Sequence, residues 1–334
     1  MAILLGSARV SCSLRLANLV AVLGALFLGA CAAAAPEQCV VDRITEFPVA
    51  MTRDFALVPA RLDGHDAYLL LDTGAGVTML SHDIADRLAL MPEDRLFPTT
   101  VQGVGGVTLT RRLIVDTFEV GGIDLGKQAI MSTERGLFRD FDPPPDGIIG
   151  GDFLSQFDVD IDLPEKRLGL YRAHACRTPF APPWPGFTLY RVPARLTDGG
   201  QFLIDVAVDG VPLVAMLDSG AEETAINARA MNKLGLTADT LARDPAREEL
   251  GIDMNRRLSH RHHFATFKIG AETYRDPAIW VSDMPLLSAD MLLGADFFQT
   301  HRLWLSFSRR VVFVTVSDDG DSPFNPHRPR HTAH

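Results

Sequence analysis

Two aspartates stand out because each closes an apolar run and is followed by a small hydroxyl residue and a glycine. The first run, Tyr68-Leu69-Leu70-Leu71, leads into Asp72-Thr73-Gly74-Ala75. The second, Leu213-Val214-Ala215-Met216-Leu217, leads into Asp218-Ser219-Gly220-Ala221. Each reads as a buried strand that delivers a carboxylate to the lip of a core, on backbone that glycine lets turn tightly. Two carboxylates held a few ångströms apart cannot both ionise, so such a pair carries one proton and serves as base and acid together. Hydrolysis by water without a metal or a covalent intermediate needs that combination.

The elements around the two aspartates repeat as well. Asp63-Gly64 between two apolar runs is a hairpin signal, and the strand after it delivers Asp72. Ser81 is placed to cap a short helix with Ile84, Ala85 and Leu88 on one face. Gln102 to Thr108 is glycine-rich and flanked by strand formers, which fits a mobile hairpin or a plain glycine-bearing turn. After Pro143-Pro144-Pro145 comes Asp146-Gly147-Ile148-Ile149-Gly150-Gly151-Asp152-Phe153-Leu154, where Asp152 is a candidate cap for one helical turn. Phe157 to Asp162 reads as an alternating, half-buried strand. A shift of 146 carries Asp63-Gly64 onto Asp209-Gly210, Asp72 onto Asp218, Ser81 onto Asn227 and Leu88 onto Leu234. Later the shift becomes 149, with Gly121 on Gly270, and then 144, with Asp146, Gly150, Asp152 and Phe153 on Asp290, Gly294, Asp296 and Phe297. This is one duplication of a domain-sized unit and not an array of short repeats.

The flanks and composition bound the setting. A chain of 334 residues, 47% hydrophobic and 22% charged, is ordinary for a globular protein of about two domains. Its formal charge of −10 and the absence of a polybasic run in the body argue against nucleic acid or anionic lipid as the main partner. Arg9 and Arg15 precede an apolar run, Leu16 to Ala30, short for a membrane span and suited to a signal peptide over residues 1–30. The run ends Leu28-Gly29-Ala30-Cys31, which resembles a bacterial lipobox with Cys31 as the lipidated residue; ordinary cleavage after Ala35 with free secretion is the competing reading. Cys39 and Cys176 then remain as an even pair in an oxidising compartment, and a disulfide between them is expected. His260, His262 and His263 lack the carboxylate or cysteine spacing of a defined site, so no metal and no cofactor is expected.

Asp-Thr-Gly-Ala with apolar flanks, a glycine-rich hairpin and a later hydrophobic-hydrophobic-Gly resemble the retropepsin-type aspartic proteases. Leu217-Asp218-Ser219-Gly220-Ala221-Glu222-Glu223-Thr224 is similar to the retroviral active-site loop, and Gly147 to Leu154 looks more like bacterial relatives. The likeness runs over nearly all of residues 47–316. It implies an all-β fold with short helices, built as two homologous retropepsin-like lobes related by a pseudo-twofold. It implies an aspartic endopeptidase of the cell envelope with Asp72 and Asp218 as an intrachain catalytic dyad. Thr73 and Ser219 would brace the two loops, Gly74 and Gly220 would bring the backbone close, and Ile148-Ile149-Gly150 and Leu292-Leu293-Gly294 would pack beneath. Ala75 and Ala221 stand where pepsin-like enzymes often carry a hydroxyl donor, so a dyad with raised pKa and a mildly acidic optimum is expected. Gly103-Val104-Gly105-Gly106 resembles a flap tip, whereas Gly251-Ile252-Asp253-Met254 lacks the glycines, so one flap or two unequal ones would follow. Glu222 and Glu223 are candidates for substrate contact, with solvated loop acids as the plainer reading.

The expected organisation is therefore a tether over 31–46 that includes an entry strand, a first lobe over 47–176, a Pro-rich linker over 177–187 anchored by Trp184, a second lobe over 188–316 and a disordered tail over 317–334. The partners would be a peptide or protein substrate and, through the N-terminal lipid only, a membrane; a monomer is expected. A lipoprotein that uses the fold as an idle peptide-binding scaffold is the competing reading of function.

Overall fold

A computed structural model describes residues 39–93, 99–103, 106–133, 135–174, 180–250, 256–316 and 322–325. The signal peptide, Cys31, Val104, Gly105, Cys176, Gly251 to Met254 and most of the tail lie outside them. No helix among the described residues is long and apolar enough to cross a membrane.

The fold is all-β with five short helices among the described residues. Each lobe is built around a strand that delivers its aspartate. In the first, Phe55–Leu62 and His65–Leu71 pair antiparallel across Asp63-Gly64, whose φ angles of 48° and 80° are those of a type I′ turn. His65–Leu71 then takes Gly147–Ile149 as a parallel neighbour, and Gly147–Ile149 pairs antiparallel with Met79–Leu80. The second lobe repeats this arrangement. Phe202–Val208 and Val211–Leu217 form the hairpin, Met291–Leu293 runs parallel to Val211–Leu217, and Ala225–Ile226 pairs antiparallel with Met291–Leu293. Both capping readings hold: Ser81 Oγ accepts from Ile84 N–H at 3.2 Å and Asn227 Oδ1 from Ala230 N–H at 2.9 Å.

The lobes are joined through a six-strand antiparallel run ordered Val40–Pro48, Arg167–His174, Asp158–Asp162, Arg302–Ser306, Val311–Thr315 and Leu189–Leu196. Its centre is the pairing of Asp158–Asp162 with Arg302–Ser306, with Asp160 opposite Trp304. Those two residues are related by the shift of 144, so the pseudo-twofold passes between them. A single apolar cluster extends from Phe47 and Val58 in the first lobe to Leu293 and Val314 in the second.

Two expectations need correction here. Asp158–Asp162 is buried at every position, not half-buried, because aromatic residues of the linker cover its acidic face. Asp160 receives Arg302 through two nitrogens, at 2.9 and 2.6 Å, and Trp184 Nε1–H at 3.0 Å; Trp184 anchors the linker there. The entry strand expected within 32–46 is Val40–Pro48, which pairs with Arg167–His174 from Val40↔His174 onward. And Phe324, expected in a disordered tail, is buried against Phe267 and Tyr274, with its carbonyl accepting from Ala278 N–H at 3.0 Å. Cys39 is disulfide-bonded, and Cys176 lies outside the described residues.

Candidate active site

Asp72 and Asp218 meet. The two aspartate loops cross at the pseudo-twofold, and their carboxyl groups stand close enough to shift each other's titration. A Cβ built on Gly74 would lie 2.3 Å from Asp218 Cγ, and one on Gly220 would lie 2.4 Å from Asp72 Cγ. Each carboxylate therefore rests on the other lobe's glycine, and no larger residue fits either position. The strands set the approach: Asp72 N–H donates to Ile149 O at 3.1 Å and Asp218 N–H to Leu293 O at 3.0 Å. Ile148, Ile149, Leu292 and Leu293 are buried behind the loops, ahead of Gly150 and Gly294.

Thr73 and Ser219 interlock the lobes. Thr73 Oγ1 donates to Leu217 O at 2.9 Å and accepts from Ser219 N–H at 3.0 Å. Reciprocally, Ser219 Oγ donates to Leu71 O at 2.7 Å and accepts from Thr73 N–H at 3.1 Å. Both residues are buried, so all four bonds are made away from water.

The electrostatics of the two carboxyls differ slightly. Asp72 Oδ1 accepts from Gly74 and Ala75 N–H at 2.9 and 2.8 Å; Asp218 Oδ1 accepts from Gly220 and Ala221 N–H at 3.0 and 3.1 Å. Burial raises both above the ordinary 3.8, and the charge of Asp72 pushes Asp218 up further. The amides beside Asp72, and the hydrogen bond from Asp218, favour its charged form. The two carboxyls influence each other's charge, so the pair titrates as one unit.

Sequence reasoning missed the next supports outward. Gly150, not Asp152, occupies the cap position of the helical turn; Asp152 Oδ1 accepts from Phe153 N–H of that turn at 2.8 Å and also from Thr78 N–H at 2.9 Å and Thr78 Oγ1 at 2.6 Å. Asp296 does the same for Thr224, at 3.0 and 2.8 Å. Thr78 and Thr224 in turn accept from Gly150 and Gly294 N–H at 3.2 and 3.1 Å. These bonds strap the end of each aspartate loop to the turn beneath it. The signal lay in the duplication, since both Thr and both Asp recur in register. Burial carries Asp296 up to about 7 in spite of its donors, with a smaller push from Glu223.

Glu222 and Glu223 are both ion-paired and are not loose acids. Glu222 pairs across the lobes with Arg53 at 3.2 Å. Glu223 pairs with Arg247 at 2.5 Å and Arg261 at 3.4 Å, and accepts from Trp280 Nε1–H at 2.8 Å. The shift of 146 carries Glu222 and Arg53 onto Gly76 and Gly199, which face each other at the other end of the site, 3.3 Å from a Cβ on Gly76 to Gly199 Cα. An ion pair at one end is thus a bare backbone contact at the other.

Two hairpins stand at corresponding places in the two lobes. Thr99–Gly103 and Gly106–Thr110, with Gly103 opposite Gly106, form a two-stranded sheet of their own. Ala246–Leu250 and Arg256–His263 join the large sheet through pairing with Ala278–Ser282, and the lobe-one hairpin likewise runs on through Arg111 into Arg112–Val115, which pairs with Gln128–Ser132. Among the described residues no group of acids, histidines and cysteines could hold a metal ion. Instead His262 meets Asp244 at 2.7 Å and His263 meets Asp276 at 3.1 Å.

Comparison with known proteins agrees with this architecture. Residues 58–153 match the family model described as aspartyl protease, and residues 204–300 match that described as gag-polyprotein putative aspartyl protease. No protein with a curated description matches the chain. Among solved structures, a retropepsin-like aspartic protease from Rickettsia conorii is similar at 16% identity, over 39% of this chain and 92% of that one, with a TM-score of 0.29. The two matched stretches take in more than half of the chain between them, each contains one of the two aspartates, and the chain belongs to the retropepsin-like aspartic proteases as a two-lobe peptide hydrolase.

Proposed function

We propose that the protein is an endopeptidase of the bacterial cell envelope that hydrolyses peptide bonds at a single site formed by Asp72 and Asp218. The observation that carries this reading is the crossed seating of each carboxyl on the other lobe's glycine, which joins the two aspartates in one chain. The ionised carboxylate of the pair takes a proton from water as that water attacks the scissile carbonyl carbon. The protonated carboxyl gives its proton to the carbonyl oxygen. Collapse of the resulting tetrahedral species releases the amine, which leaves with a proton, and the dyad again holds one proton. Both carboxyls come from the same chain, so a single chain suffices and the working form is a monomer. The substrate is a peptide or protein, and no cofactor takes part. The envelope setting rests on the apolar N-terminal run and its lipobox-like end at Cys31, with the lipid as the only tie to a membrane. Incubating the purified chain with a diverse peptide library, beside its Asp72→Asn and Asp218→Asn forms, tests the assignment directly.

The pH profile provides a separate expectation. Activity needs one carboxyl ionised and one protonated. Its acid limb falls as the ionised member takes up a proton, and its alkaline limb as the shared proton is lost. Both carboxyls are raised above 3.8, so both limbs move to higher pH and the optimum is mildly acidic. A kcat/KM profile with measurable activity only in strong acid would contradict this.

A further inference from the structure

Phe324 is the one large apolar residue in the polar stretch from Ser317 to His334, yet its side chain is almost wholly enclosed. A turn presents it: Asn325 N–H donates to Ser322 O at 3.1 Å and Phe324 N–H to Ser322 Oγ at 3.3 Å. The ring lies 5.0 Å from that of Phe267 and meets Tyr274 edge-on at 5.1 Å. The Phe324 carbonyl accepts from Ala278 N–H, the first residue of the strand Ala278–Ser282. That strand runs parallel to Ala225–Ile226, which follows directly on the Asp218 loop.

Behind the Phe324 ring, Tyr274 opens a buried polar cluster. Its hydroxyl lies 3.1 Å from Glu272 Oε2 and 3.1 Å from Nε2 of His301, which is fully buried. His301 Nδ1 lies 3.0 Å from Phe297 O, which can only accept, so that nitrogen carries the hydrogen. The imidazole also stacks on the Phe297 ring at 4.2 Å. Phe297 belongs to the helical turn Ala295–Phe298, which holds the Asp218 loop from below: Ala295 N–H donates to Ala221 O at 2.8 Å, and Asp296 accepts from Thr224. Contacts thus run without a break from Phe324 to the loop that carries Asp218. The shifts of 149 and 144 place Ile123, Leu125 and Phe157 of lobe one where lobe two has Glu272, Tyr274 and His301. The apolar trio needs no hydrogen-bond partners. The polar trio depends on the bonds it makes, and water admitted beside it competes for them.

We propose that Phe324 is a positioning residue: Ser322 to Asn325 act as a strap that seats its ring over Tyr274, keeps water from the Glu272–Tyr274–His301 cluster, and so fixes the Ala295–Phe298 turn and the Asp218 loop above it. The inference rests on the dyad being the active site. Because the strap acts on the placing of a reacting carboxyl and touches no substrate, its loss appears mainly in kcat.

Hydrogen exchange on the full chain tests this independently of turnover. Phe324→Ala removes the ring and leaves the rest of the strap in place. It speeds amide exchange of residues 295–301 and 218–224 by about tenfold, through local opening around the emptied site. Residues 151–157 and 72–78, their counterparts in lobe one, exchange as in the wild type. With a cleaved library peptide, Phe324→Ala lowers kcat by about three- to tenfold after correction for the folded fraction, while KM stays within about twofold. Phe324→Leu refills most of the space and recovers the greater part of both readouts; it also serves if Phe324→Ala does not fold, since it then shows the same pattern in smaller measure. Unaltered exchange of residues 218–224 in the variants, equal acceleration in both lobes, or an unchanged kcat overturns the proposal. Residual cleavage by Asp218→Asn would instead count against the dyad and leave the exchange comparison standing.

Discussion

Asparagine in place of Asp72 or of Asp218 is expected to remove peptide cleavage, with kcat falling by a factor on the order of 10³ or more. Either substitution leaves a site that cannot both accept a proton from water and donate one to the carbonyl. Because the two carboxyls work as one unit, the double variant should be little worse than either single one. Stability moves the other way. Asp218 has its folded pKa raised, so its contribution to stability is full below the unfolded value and is lost as pH rises through the folded value. At neutral pH the neutral amide of Asp218→Asn escapes the burial and repulsion that a second charge beside Asp72 meets. Its Tm at pH 7 should equal or exceed that of the wild type. The pairing of lost turnover with retained or improved stability separates chemistry from misfolding. An Asp72 or Asp218 variant that keeps a tenth of wild-type kcat would sink the single-site reading.

Thr73→Val should be the most damaging conservative change outside the dyad. Valine has nearly the shape of threonine, but the Oγ1 that links Leu217 O and Ser219 N–H is gone. Both partners stay buried and unsatisfied, at about 1–3 kcal/mol each, so a loss of roughly 2–6 kcal/mol is expected. For a protein of this size that corresponds to a fall in Tm of roughly 5–10 °C. Activity should fall beyond what the folded fraction explains, because the same bonds fix the spacing of the aspartate loops. Thr73→Ser retains the oxygen and should recover most of both. Thermal unfolding and kcat/KM of the two variants side by side decide the point, and a Thr73→Val protein that melts with the wild type would show that the crossed bonds do not hold the lobes.

Much of this arrangement was legible from residue order. The apolar runs into Asp72 and Asp218, the Asp-Gly turns and the Ser81 and Asn227 caps are local signals, and local signals survive into the fold because nothing in the tertiary structure opposes them. The duplication made the pairing of the aspartates readable too, since two copies of a strand-to-carboxylate turn have their simplest use in one site. Other features depended on what arrives from far away. The strand Asp158–Asp162 has a half-buried pattern by itself, yet Trp184 and Arg302 cover its acidic face. Phe324 lies in a polar tail and is held by Phe267 and Tyr274.

The two glutamates after Ala221 mark the boundary most clearly. Sequence alone determined that lobe two carries acids where lobe one carries Gly76 and Val77, and hence that the site is unequal. Only the tertiary structure decided what the acids do: Glu222 bridges to Arg53 of the other lobe, and Glu223 gathers Arg247, Arg261 and Trp280 from three strands. A charge in a loop shows its sign in the sequence, but its partner is fixed by which strands the fold brings within a few ångströms, and those lie up to 169 residues away along the chain.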